Sequence, residues 1–244
     1  MEWIKVLGHK IFRRKNHAKN LDLSLSLLKL IAHKFQTAEF LKDPKNKYVQ
    51  IVVLFFNRLI IDISAIRQLV QTGHYGSART LVAVTMRNLR MFASLIDAET
   101  ERIDRFWDED ELTYQTDRGF KNDFNENKSK RIAQELFGEN AFNEIELEKS
   151  LHGSGHALRK FYTDRAVING LRIPIVKLDV FKNDTYAKLL YLLADGFVLD
   201  FLGVFFTKFK DHPQLQAELD AYLKLANRAK KTNEKHSREG SLVN

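Results

Sequence analysis

Three groups of residues have the types and spacing to do chemistry. The first sits inside the two most apolar stretches of the chain. Arg58 and Asp62 are four apart, so on a helix they share a face and can pair. Asp195 and Asp200 interrupt a second run, 189–206, that is otherwise almost wholly apolar. Burying an ion without a partner is costly. These four, with Arg87, are therefore expected either to pair across helices and fix their register or to line a polar pocket in the protein. The second group is Glu148, His152 and His156, each four apart. On one helix they would form a ligand stripe of the kind His-x3-His makes for zinc. Gly153 and Gly155 lie inside it and weaken a regular helix by about 1 kcal/mol each. The expectation is close packing of small residues and no metal. The third group is Arg67, His74, Arg79, Arg87 and Arg90, gathered around one predicted helix-to-helix turn.

The chain lacks other catalytic signatures. With no Cys among 244 residues, disulfides, thiolate zinc sites, iron–sulfur clusters and thiol nucleophiles are excluded. It has no phosphate loop of the Gly-x4-Gly-Lys-Ser/Thr type, no Gly-x-Gly-x-x-Gly after a strand and no Gly-x-Ser-x-Gly elbow. No cofactor is implied.

Within the third group, Arg67-Gln68-Leu69-Val70-Gln71-Thr72-Gly73-His74 has an Arg-x6-His spacing. It resembles the Arg-x4–6-His motif of the HEPN superfamily, helical bundles that include metal-independent ribonucleases. That resemblance implies that Arg67 binds and polarises a phosphate, and that His74 acts as acid or base on the ribose 2′-hydroxyl or the leaving oxygen. A wider stretch, Gly73-His74-Tyr75-Gly76-Ser77-Ala78-Arg79-Thr80-Leu81 and then Thr85-Met86-Arg87-Asn88-Leu89, resembles a large bacterial family of uncharacterised α-helical proteins over roughly residues 45–160. Arg87 fits that family's Arg-x3-Glu helix, with Met91 in the Glu position, and Ser150 and His152 fit a later Ser and His. The resemblance implies a helical fold in a bacterial protein and no particular activity.

The elements that must position these residues are helical. Apolar residues recur at helical spacing in segments near 22–41, 45–72, 75–98, 99–116, 184–210 and 213–230, with short helices near 130–137, 141–149 and 157–163. Asp22 or Ser24 is the expected cap of the first, and Asp43-Pro44 its stop. The short link Thr72-Gly73-His74 makes its two helices antiparallel neighbours. Residues 166–181 break the pattern, with one short strand or extended segment near 171–178. The fold class is all-α, a helical bundle of about seven or eight helices. Its expected organisation is a basic N-terminal helix over 1–20, a single domain over 21–231 and a disordered basic tail over 232–244.

Charge supplies the functional reading. The net charge is +8, but residues 1–20 hold six cations against one anion and residues 224–244 hold six against two. The segment 97–151 is acidic, with 16 Asp and Glu against 8 Lys and Arg. Basic ends attract phosphates or carboxylates. Residues 1–15 can also form a short amphipathic helix, with Trp3, Ile4, Leu7, Ile11 and Phe12 on one side, that packs on its own domain or lies on a membrane surface. The runs 51–66 and 189–206 carry ions that cost about 2.5–3.5 kcal/mol each near a bilayer centre, so no transmembrane segment is expected. The expected function is a cytoplasmic interaction module that binds nucleic acid or an acidic protein through Arg13, Arg14, Lys15, Arg79 and Arg90, with a homodimer compatible. The alternative is the HEPN-like ribonuclease using Arg67 and His74.

Overall fold

The structure, a computed structural model, describes residues 2–37, 46–96, 98–107, 124–137, 163–168, 171–176 and 184–240, with side chains over 16–36, 46–96, 98–107, 124–125, 127–135 and 187–231. Seven α-helices are present among them: α1 (Glu2–Thr37), α2 (Lys47–Gln71), α3 (Tyr75–Leu95), α4 (Thr100–Trp107), α5 (Glu126–Phe137), α6 (Asp184–Phe209) and α7 (Gln216–Gly240). A 3-10 turn, Pro213–Leu215, precedes α7. The protein is an all-α helical bundle.

Local chemistry sets several ends. Asn46 caps α2, its side-chain oxygen accepting from the Val49 N–H at 3.2 Å. Gly73 stands at φ 83°, the left-handed conformation that costs glycine no Cβ clash, and it turns the chain from α2 into α3. Pro213 opens the 3-10 turn, where its missing N–H has no partner to lose.

The core is the seam where α1, α2, α3 and α6 meet. Phenylalanines fill it. Phe56 of α2 stands edge-on to Phe201 and Phe205 of α6, with ring centroids at 4.8 and 5.1 Å. Phe92 of α3 stacks on Phe201 at 4.2 Å, and Phe35 of α1 meets Phe205 and Phe209 edge-on. Cross-contacts give the directions. Asp195 meets Ser24 while Phe209 meets Phe35, so α6 runs parallel to α1. Arg67 meets Asp22 while Asn57 meets Gln36, so α2 runs antiparallel to both. A smaller core of Ile51, Leu95, Ile103 and Phe124 seats α4 beside the start of α2.

The last helix, α7, covers α1 and α6. At Gly203 of α6 an added Cβ would stand 2.8 Å from the hydroxyl oxygen of Tyr222 on α7. Gly203→Ala is therefore expected to cost about 1 kcal/mol, overpacking outweighing the gain in helix propensity. With Tyr222→Phe the hydroxyl is gone and the nearest ring atom lies 3.8 Å from that Cβ. In that background the same substitution should stabilise by about 1 kcal/mol. Urea denaturation of the four proteins checks the reversal of sign.

Three sequence expectations need correction. No boundary separates residues 1–20 from a first core helix, because α1 is continuous from Glu2 to Thr37. Asp22 and Ser24 are not caps: Asp22 binds Arg67 and Ser24 donates to Asp195, so tertiary partners occupy both side chains. Residues 232–240, expected to be disordered, continue α7. The extended segment near 171–178 is one half of an antiparallel ribbon, β1 (Thr163–Ile168) with β2 (Leu171–Val176), in the register Ile168↔Leu171 to Thr163↔Val176. The overlooked signal was Asn169-Gly170, a strong short-range indication of a two-residue hairpin connection. The short helix expected near 141–149 lies outside the described residues, as does the one expected near 157–163 except for Thr163, which opens β1.

Candidate functional site

The ions of the two apolar helices separate into three local arrangements. Asp62 is buried on α2 and takes Arg58 Nε at 3.0 Å and Asn88 Nδ2 of α3 at 3.3 Å. Arg58 itself is exposed. This is the expected i, i+4 pair, tied by Asn88 to the neighbouring helix. Arg87 is exposed on α3.

Asp195 belongs elsewhere. It is buried on α6, accepts from Ser24 of α1 and faces Arg228 of α7. Burial raises its carboxyl above the ordinary range, while the Ser24 hydroxyl and Arg228 pull it back. Its Oδ1 has no hydrogen-bond partner among the described residues.

Asp200 is exposed on α6, but partial desolvation of its carboxyl pushes it up to about 6. It in turn raises the Tyr222 hydroxyl, which burial lifts first. Since the folded carboxyl holds its proton at higher pH than the unfolded one, stability is greatest below the ordinary Asp pKa and falls as pH rises through about 4 to 6. Solvent at its open edge reduces the effect to about 1 kcal/mol. Asp200→Asn is expected to remove that slope and stabilise the protein at pH 7 by a similar amount, read from thermal melts between pH 4 and 7.

The helix turn does not form the expected constellation. Arg67 is half-buried, and its Nε and Nη2 grip both carboxylate oxygens of Asp22, the second at 3.0 Å, with Nη1 on Gln71 at 3.3 Å. The bond to Asp22 raises its guanidinium still further. His74 is exposed at the start of α3, and its side chain makes no capping hydrogen bond. No hydrogen bond or ion pair joins the two. Arg79 is half-buried, not a free surface cation. Arg90, expected as a partner contact, is wholly buried, with Nη2 at 3.5 Å from Met86 Sδ. It therefore has no surface role. A cleft of about 390 Å³ lies at the other end of the bundle, among Lys47, Tyr48, Thr100, Asp104 and Lys208, with Lys47 paired to Asp104 at 3.1 Å. None of the sequence candidates lines it.

What the fold does bring together is the charge of the two chain ends. Glu218 of α7 pairs with Lys34 of α1 at 2.6 Å, and Arg228 lies where Ser24 meets Asp195. Ten residues down α1 correspond to ten residues up α7, so the helices are antiparallel and in step. Continued at the same register, residues 2–20 of α1 and 232–240 of α7 run to one end of the bundle. The Asp22–Arg67 pair puts the Gly73 turn at that end as well. Helix α4, with two acids and two bases, is tied to the other end of α2, about 36 Å away. The protein thus has a basic pole built from segments far apart in sequence. Sequence reading found the charges but not their meeting. Side chains of Arg13, Arg14 and Lys15, and all of Glu148, His152 and His156, lie outside the described residues. Among those described, no group of three or more His, Asp or Glu could hold a metal.

Helices α2 and α6 are long and apolar enough to cross a membrane, by length and composition; 44% and 67% of their apolar windows are buried inside the bundle. Comparison with protein-family models, with characterised proteins and with solved structures finds no match to this chain.

Proposed function

We propose that this protein is a non-catalytic interaction module of the cytoplasm that docks nucleic acid on its basic pole. The observation that carries the proposal is the register of α1 against α7, which draws two basic segments, each with six cations, to one end. Separate basic tails would be solvated and independent. Two cationic helices side by side make a single field able to steer and hold a polyanion. In this reading α2 and α6 are core helices and not membrane spans, since the Arg58–Asp62 pair and Asp195 are used in helix packing. Arg67 is committed to Asp22, which favours docking over the ribonuclease alternative.

The test is binding of a mixed-sequence duplex at several salt concentrations by the full chain. Affinity should fall linearly on a double-logarithmic plot, by at least tenfold between 50 and 200 mM salt. Charge-neutral variants of residues 5–15 and of residues 230–238 should each weaken it. Absent or salt-insensitive binding overturns the proposal.

A further inference from the structure

Helix α7 carries a cationic stripe. Lys224, Arg228, Lys231, Lys235 and Arg238 are spaced by four, three, four and three residues. At 100° per residue they fall within an arc of about 80°, over a length of about 21 Å. Lys224, Arg228 and Lys231 are exposed, and Lys235 and Arg238 continue the same phase of the same helix. The stripe is bounded by Asp220 one turn before Lys224, and Glu234 and Glu239 fall outside the arc. The opposite side of α7, with Glu218, Leu219 and Tyr222, faces the bundle; Lys224 and Lys231 look outward, while Arg228, in the same arc, also reaches toward Asp195.

We infer that this stripe lies along the phosphates of double-stranded nucleic acid and binds them without regard to sequence. The inference rests on the nucleic-acid reading given above and assigns its ligand class. Three features select a duplex. The cations are presented on one rigid line, as a regular phosphate backbone requires. No Phe, Tyr or Trp lies between 223 and 240. A single-strand binder needs such rings as stacking platforms. Beyond Leu225 the only apolar residues of α7 are Ala226 and Ala229. A helix that enters a bilayer surface needs a large apolar face. Lys and Arg on phosphates position a protein on a duplex and carry no sequence information directly.

The control is built into the helix. Lys230 is exposed on α7 but sits about 120° from the stripe. Lys231→Gln and Lys230→Gln change the net charge equally. Duplex binding should weaken about eightfold at 100 mM salt for Lys231→Gln and about sixtyfold for Lys224→Gln with Lys231→Gln. The salt slope should drop by about 0.9 per lysine removed, with Lys230→Gln close to wild type. Arg228 is left intact because it faces Asp195. Far-UV circular dichroism confirms that each variant stays helical. Equal losses for Lys230→Gln and Lys231→Gln overturn the stripe and leave nucleic-acid docking standing. No duplex binding by wild type overturns both. Tighter binding to single strands, to polyglutamate or to anionic vesicles than to the duplex overturns the ligand class.

Discussion

Phe56→Ala is expected to destabilise the protein by about 3–5 kcal/mol, enough to leave much of the population unfolded if the wild type is marginally stable. Phe56 is wholly buried and touches the rings of Phe35, Phe201 and Phe205, so one side chain joins α1, α2 and α6. Truncation loses the transfer free energy of the ring and leaves a void that three aromatic neighbours, each packed on others, cannot collapse to fill. Phe56→Leu keeps most of the volume and should cost about 1–2 kcal/mol. Urea denaturation with matched m-values measures both. A loss below about 1 kcal/mol for the alanine variant would mean that the four helices do not share this seam.

Lys34→Met should cost about 2–3 kcal/mol. Glu218 is buried at the start of α7, and Lys34 Nζ reaches it at 2.6 Å and the Gln214 carbonyl at 3.4 Å. Lys34 is itself 39% exposed, so the pair gains only modestly while intact. Removing the lysine strands a carboxylate in apolar surroundings, which is the expensive half of the interaction. Glu218→Met alone leaves Lys34 free to turn to water and should cost under 1 kcal/mol. The double variant should recover most of the single loss at position 34, because no buried charge remains unpaired. A double-mutant cycle by denaturation reads this asymmetry. Equal costs for the two single variants would mean that Glu218 is not seated against α1. Since this pair sets the register that carries the basic segments to one end, its loss should also weaken duplex binding.

How far each feature was legible depended on the range of the interaction behind it. The turn at Gly73 and the pair Arg58–Asp62 were readable because each is local: one residue that tolerates positive φ, and two residues one helical turn apart. The β-ribbon was readable too, from Asn169-Gly170, and was overlooked because neither flanking strand is strongly patterned. The first helix was misplaced because Asp22 and Ser24 have the composition of caps. Only contact with Arg67 and Asp195, which are 45 and 171 residues further along the chain, shows their use. Arg90 was misassigned for a related reason. An arginine in sequence reads as surface, and its burial is a property of what packs on α3.

The amino-acid sequence by itself determined an all-α chain, its apolar helices and the excess of cations at both extremities, since helical periodicity and charge are properties of neighbouring residues. Tertiary structure alone decided that those extremities share a pole, that Arg67 pairs with Asp22 and that the core acids part into separate arrangements. Each of these follows from helix direction and register, which side-chain contacts across long loops select and no local pattern encodes.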